Sequence, residues 1–166
     1  TVKCAEKPRR IIIRQASVFP QGLGGLYSQF LTNSGGLREI PPLVGMVDIG
    51  YKDCNFSLLR DGEVDNNSSW SVPLGIHSVF TAAMPEISKE YDYELHDVDP
   101  AVIPSHYYDD LKEKLQHTIN QYWPKQKFPV FSCGGGSYWI KLGEQVEEPV
   151  YANAQGFRKL ANLKWI

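Results

Sequence analysis

A cysteine followed directly by three glycines is the feature of this sequence that most suggests chemistry. Cys133 precedes the run 134–136, and the backbone N–H groups of a glycine turn can stabilise an oxyanion. A thiol nucleophile also needs a base, and four histidines could supply it: His77, His96, His106 and His117. The arrangement predicts, as one alternative, a small cysteine-dependent hydrolase using Cys133 and a histidine. The other interpretation is that Cys133 ends a strand and packs in the core.

The glycine clusters at 22–25 and 134–136 do not match a nucleotide-binding motif. Neither has the spacing of a phosphate-binding loop that ends in Lys and Ser or Thr. Neither shows the dinucleotide-binding spacing in front of a clear helix. Turns between strands account for both clusters, and we therefore expect no cofactor.

Acidic residues are concentrated in one part of the chain. Residues 86–113 carry nine acids against two lysines, a net charge of −7, whereas residues 114–141 carry four lysines and no acid. A patch of one sign that also carries tyrosines is typical of a surface for an oppositely charged protein. We therefore predict a surface that binds a partner with a cationic face. Its expected residues are Asp92, Glu94, His96, Asp97, Asp99, Tyr107 and Tyr108.

The same segment is not expected to bind a metal ion. On a strand, Asp97 and Asp99 would share one face while His96 points to the other. The residue order and central glycine of a calcium-binding loop are also missing. A solvated acidic edge is the alternative to the partner-binding surface.

Three cysteines permit at most one intramolecular disulfide. Cys4, Cys54 and Cys133 are too far apart in sequence to form a paired zinc motif. We predict a Cys4–Cys54 bridge, because Cys54 falls on a strand that could lie beside the N-terminal tail. Disulfides persist outside the cytoplasm, and the chain begins with threonine rather than methionine. Both features favour an extracytoplasmic location, periplasmic or secreted.

Hydrophobic periodicity indicates one long amphipathic helix at about 105–123. Pro124 would end it. Residues 77–81 predict a short strand, and residues 128–142 predict a hairpin whose turn is the glycine run. Strands on both sides of one helix favour an α+β fold, with a mainly antiparallel sheet packed against that helix. The helix stripe is expected to consist of Tyr108, Leu111, Leu115, Ile119 and Tyr122.

Length and composition fit a single domain, residues 1–166. Hydrophobic residues make up 42% of the chain and charged residues 22%, as in ordinary folded domains. No apolar run is long enough to span a bilayer. The net charge of −2 argues against a nucleic acid as partner.

The preferred sequence-based function is a non-enzymatic, exported protein-binding domain. An inhibitor or immunity-type protein of the bacterial envelope, which occludes its partner, would combine the charge asymmetry with one disulfide. A structural or accessory domain of a secreted assembly is a further alternative beside the cysteine hydrolase.

Overall fold

The main element of the structure is a mixed six-stranded sheet. The computed structural model describes residues 2–4, 7–9, 12, 16–34, 36–89 and 98–165. A separate antiparallel pair precedes the sheet and consists of β1 (Val2–Cys4) and β2 (Lys7–Arg9). The strands of the main sheet are β3 (Leu43–Ile49), β4 (Cys54–Arg60), β5 (Glu63–Val64), β6 (Trp70–Val72), β7 (Val130–Cys133) and β8 (Glu144–Gln145).

Helices cover both faces of this sheet. They are α1 (Leu23–Phe30), α2 (Ile76–Ile87), α3 (Ser105–Tyr122) and α4 (Ala152–Trp165). Short 3₁₀ turns occupy Asn66–Ser68, Pro100–Val102 and Gly135–Tyr138.

The strand order is β5-β4-β3-β7-β8, and β6 also pairs with β4. β4 is antiparallel to β3, β5 and β6, whereas β7 is parallel to both β3 and β8. The mixed helix and strand content agrees with the general α+β expectation. The sequence did not indicate that the central strands β3 and β7 are parallel.

The predicted hairpin at 128–142 is wrong. After β7 the chain does not reverse, because the Ser137 N–H donates to the Gly134 carbonyl and closes a 3₁₀ turn. Ile140 and Leu142 then enter the core on the α2–α3 side of the sheet. Ile140 and Leu142 alternate with the exposed Lys141 as residues of a strand would, but here the two apolar side chains enter the core without a second hairpin strand.

The central strand β3 is buried along its whole length. Val47 and Ile49 belong to the core that packs against α2 and α3. Val44 and Met46 belong to the core on the opposite face, against α1. Helices on both faces explain why the strand is apolar almost throughout, as expected for parallel or mixed sheets.

The helix predicted at 105–123 is confirmed as α3, the longest helix in the described part of the chain. Tyr108, Leu111, Leu115 and Ile119 of the predicted stripe are buried, whereas Tyr122 is 56% exposed, so the stripe ends one turn earlier than expected. The N-cap residue is Pro104, and no side chain caps the start of the helix.

The predicted strand at 77–81 is instead the first half of α2. Val79, Phe80 and Ala83 are buried at helical spacing, together with Ile76 and Ile87. A short window containing two β-branched residues and a phenylalanine resembles a strand locally. The stripe that identifies the helix appears only over the full twelve residues.

Helices α1 and α4 cross at direct backbone contact. A Cβ on Gly156 would overlap the Gly24 carbonyl, and a Cβ on Gly24 would lie 2.7 Å from the Cα of Asn153. The Asn153 side chain uses this proximity, because its Oδ1 accepts the Gly25 N–H at 2.9 Å. Further along the two helices, Lys159 Nζ donates a hydrogen bond to the Ser28 carbonyl at 2.7 Å.

Replacing Gly156 by alanine tests this crossing. At a solvent-exposed helix position the change stabilises by about 1 kcal/mol, but here the added methyl must push α1 away from α4. We expect the free energy of unfolding in urea to fall by roughly 1–3 kcal/mol. Gly135→Ala is the matched control, since a Cβ there meets no atom within 4 Å.

Shortening Leu115 tests the α3 core. This side chain is 0% exposed, so Leu115→Ala should lower the free energy of unfolding by roughly 2–5 kcal/mol. Glu113→Ala, an exposed change on the same helix, should stay within about 0.5 kcal/mol of the wild type. Equal effects of the two substitutions would contradict the placement of Leu115.

Candidate functional site

The candidate site lies where the parallel strands β3 and β7 end side by side. Asp48 of β3 is in register with Cys133 of β7. Just beyond them lie the turn between β3 and β4 and the glycine turn at 134–136. In open α/β sheets, ligands bind outside the carboxyl ends of parallel strands. This edge is therefore the first place to look for a ligand.

The turn between β3 and β4 offers free backbone donors. Gly50 closes it, because its N–H donates to the Asp53 carbonyl at 2.9 Å. The N–H groups of Tyr51 and Lys52 meet no acceptor in the described part of the chain. The start of α2 rests on this turn, with the His77 N–H donating to the Tyr51 carbonyl at 2.7 Å.

The glycine turn stands beside it and depends on the absence of side chains. Gly134 has a φ of +81°, and a Cβ there would overlap the Asp48 carboxylate and the Ile49 carbonyl. Gly135, by contrast, faces open space. Gly135 and Gly136 are the first residues of a 3₁₀ turn, whose initial N–H groups have no partner within the turn.

A cavity of about 140 Å³ lies between the two turns. Turns that present successive unpaired N–H groups form concave sites for anions. Two half-exposed aromatic rings, those of Tyr51 and Trp139, flank the opening. The residues lining the cavity are Tyr51, Ile76, Gly135, Gly136 and Trp139.

Asp48 is a buried carboxylate at the junction of this site with α1 and α4. It is 3% exposed and accepts a hydrogen bond from Asn153 Nδ2 at 2.8 Å. Burial raises the pKa of Asp48, although hydrogen bonds from the side chains of Asn153, Gln21 and Cys133 oppose the increase. The carboxylate is thus held in one orientation by groups from three other segments.

A second, polar cavity of about 270 Å³ includes Gln21 among its lining residues. It is also lined by Asn55, Ser57 and Trp70. Asn55 Nδ2 and Trp70 Nε1 are buried donors without a hydrogen-bond partner. Because an unsatisfied buried donor is costly, this cavity suits a water molecule or a ligand rich in acceptor oxygens.

Both described thiols are buried and free. Burial raises the pKa of Cys54 to about 12, and the pKa of Cys133 rises as well, through burial and the neighbouring Asp48 carboxylate. A thiol in such surroundings is not a nucleophile. The expected Cys4–Cys54 disulfide is not formed at Cys54, and the side chain of Cys4 lies outside the described residues.

The predicted partner-binding surface is only partly described. Asp92, Glu94, His96 and Asp97 lie outside the described residues, so the surface as a whole stays a prediction. Among residues 98–165, three of its members have local roles. Asp99 accepts the Ala101 N–H, the Tyr107 hydroxyl donates to Glu86, and the buried Tyr108 donates to the Pro100 carbonyl.

The described residues contain no cluster of three or more potential metal ligands from His, Cys, Asp and Glu. No helix in residues 16–34, 36–89 and 98–165 is both long and apolar enough to cross a bilayer.

Comparison with known proteins identifies the fold. No protein-family model and no curated protein sequence matches the chain. An archaeal actin homolog matches in structure with a TM-score of 0.71 at 20% identity, over 86% of this chain and 54% of that one. A filament of ParM from Clostridium botulinum matches with a TM-score of 0.68 at 16% identity, over 92% and 55%. ParM of Bacillus thuringiensis with AMPPNP matches with a TM-score of 0.58 at 14% identity, over 76% and 48%.

The chain therefore has an actin-like fold, and it spans about half the length of these solved structures. The sequence-based function is wrong: the neighbours are actin homologs and ParM filament proteins, not exported inhibitors or immunity proteins. The same finding overturns the cysteine hydrolase and the accessory domain of a secreted assembly. The extracytoplasmic location stays a prediction.

Sequence reasoning missed Asp48 and the turn after Gly50, and it interpreted the glycine run at 134–136 as a hairpin turn or as part of a thiol site. Asp48 alternates with Val47 and Ile49 along β3, and both faces of this strand are covered by helices. A nearly apolar strand ending in Asp and Gly, and a second strand ending in a glycine run, were the available signals. Their relevance depends on the parallel pairing of β3 with β7, which neither segment reveals.

The raised pKa of Asp48 predicts a pH-dependent difference between the wild type and Asp48→Asn. The folded state binds the proton of this carboxyl more tightly than the unfolded chain does. The free energy of unfolding of the wild type, relative to the variant, should therefore fall as pH rises above about 4 and become constant above the folded pKa. Urea unfolding of both proteins from pH 4 to 8 measures this difference, and an increase with pH would contradict the assignment.

Proposed function

We propose that this chain is the phosphate-binding half of an actin-like, filament-forming nucleotide-binding protein. The observation that carries the proposal is the pair of turns with unpaired N–H groups at the carboxyl ends of β3 and β7. The fold supports it, because solved neighbours include the archaeal actin homolog in complex with ADP and a ParM with AMPPNP. The sequence predicted no cofactor, whereas this proposal includes a bound nucleotide.

The cavity between the turns is suited to the phosphate groups. The N–H groups of Tyr51 and Lys52 and those at the start of the glycine turn supply donors, and Lys52 adds a positive charge in the first turn. The glycines matter because a side chain at 134 or 136 would collide with the end of β3. The backbone can thus approach a phosphate as closely as a hydrogen bond requires.

The polar cavity near Gln21 provides a second set of donors. Ser57 Oγ donates to the Gln21 carbonyl at 3.2 Å, and the Gln21 side chain reaches the Asp48 carboxylate. Asn55, whose Nδ2 has no partner, lies opposite Asp48 in the register of β3 and β4. In the proposal, these groups position a terminal phosphate or the water molecule next to it.

In the proposal, the chain forms one wall of the nucleotide site. The neighbours are about twice as long, and the cavity between the turns is shallow and open beside Tyr51 and Trp139. The remaining surface of a bound nucleotide would be covered by a second lobe. In the proposal, self-association into filaments is the partner interaction.

Placing a charge at Gly135 tests nucleotide binding. The position accepts a side chain without collision, and Gly135→Asp would put a carboxylate in front of the donors, whereas Gly135→Asn has the same shape without the charge. We expect Asp to weaken ATP binding at least tenfold, about 1.4 kcal/mol, and Asn to weaken it less than threefold. Equilibrium titration of the intact protein with a fluorescent ATP analogue measures both.

Two results would contradict the proposal. If Gly135→Asp left ATP binding unchanged, the glycine turn would not be part of the nucleotide site. If the folded wild type bound no nucleotide at millimolar concentration, the proposal of a nucleotide site would be wrong. Melting temperatures of both variants, expected to lie close to that of the wild type, show whether the fold is intact.

A further inference from the structure

A basic groove lies at the end of the molecule opposite the candidate nucleotide site. It is a cavity of about 510 Å³ between the last turns of α3 and residues 124–130. Trp123, which is buried, and the half-buried Phe128 contribute aromatic surface, while Lys125 and Lys127 are exposed. The amide side chains that complete the lining are Gln116, Asn120 and Gln126.

The direction of α3 places this groove far from the acidic end of the same helix. Tyr108, near the helix start, stacks on Trp139 with ring centroids 5.7 Å apart, beyond the end of β7. Trp123, after the helix end, lies against Gly45 near the start of β3. The helix therefore runs antiparallel to β3 and β7. Its 18 residues separate the two ends by about 27 Å.

The two ends carry opposite charge. Asp109, Asp110 and Glu113 are exposed in the first half of α3, and Asp99 and Glu86 lie next to its start. Beyond Lys114 there is no acidic residue before Glu144. In the described part of the chain the single ion pair joins Arg60 and Asp65, so no described carboxylate neutralises the lysines of the groove.

The two ends of one molecule do not neutralise each other. Their separation of about 27 Å exceeds the screening length of about 8–10 Å at 0.10–0.15 M salt. Two copies placed end to end would bring the acidic end of one against the groove of the next. Such a contact joins two different surfaces, so every added copy offers a new free end, and the assembly grows as a filament unless the rotation between copies closes it into a ring.

We propose that the groove formed by the end of α3 and residues 124–130 binds the acidic end of α3 in a second copy of this chain. The inference rests on the proposed function and identifies the surfaces through which copies join. It also gives the predicted acidic surface a partner with a cationic face, namely the Lys125–Lys127 rim of the neighbour. The part of the Phe128 ring that remains exposed would be covered in the same contact.

Charge reversal with co-assembly tests the proposal. Lys125→Glu/Lys127→Glu makes both ends of a copy acidic, and Asp109→Lys/Asp110→Lys makes the acidic end basic. Each variant alone should raise the critical concentration for assembly about tenfold or more, because like charges then face each other. An equimolar mixture should assemble near the wild-type concentration, since every contact in an alternating filament is again between opposite charges. Sedimentation and light scattering of the intact protein with ATP measure assembly.

The matched control is Arg38→Glu/Arg158→Glu, which reverses the same number of charges at two exposed arginines in the α1–α4 layer. It should assemble as the wild type does. Raising the salt concentration from 0.05 to 0.3 M should weaken wild-type assembly as a result of screening.

Two outcomes overturn the inference: assembly of either charge variant at the wild-type concentration, or failure of the mixture to assemble while both variants keep the wild-type melting temperature. In the second case a different protein would be the partner of the groove. Binding of the ATP analogue, measured on the same variants and expected to be unchanged, separates this failure from a failure of the proposed function. If the wild type neither bound nucleotide nor assembled, both the proposed function and this inference would be wrong.

Discussion

The parallel pairing of β3 with β7 is the constraint on which the rest of the structure depends. It aligns Asp48 with Cys133, so two strands far apart in sequence end at the same edge of the sheet. Parallel neighbours cannot be joined by a tight turn, and the chain between them must cross over the sheet. Helices α2 and α3 belong to this crossover and cover one face, which forces the other face to be covered as well.

The second face is covered by two helices that touch through glycine. Gly24 and Gly156 let α1 and α4 approach until their backbones meet, and Asn153 connects them to the buried Asp48. The same asparagine therefore serves the helix crossing and the candidate site. A change in the distance between the two helices would move the group that orients the carboxylate.

The charge distribution follows the same axis as the strands. Since α3 lies antiparallel to β3, its acidic start is at the edge with the candidate site and its basic end is at the opposite edge. The acidic surface of the proposed contact would then lie at the same edge of the sheet as the proposed nucleotide site, and the groove of the contact at the opposite edge.

The sequence by itself determined the long helix and most of its buried stripe, except for the exposed Tyr122, because both depend on neighbours three or four residues apart. The uneven charge can be read directly from the residue types. The sequence also indicated strands at both sides of the helix. It did not determine α2, whose stripe needs twelve residues to appear, nor the path after Cys133, where a hairpin and a 3₁₀ turn have similar local composition. The candidate site could not be predicted from the sequence, and the reason is its dependence on strand pairing. Asp48, the turn after Gly50 and the glycine turn at 134–136 acquire a joint meaning only when β3 and β7 lie parallel, and that pairing is decided by the packing of four helices against a shared sheet.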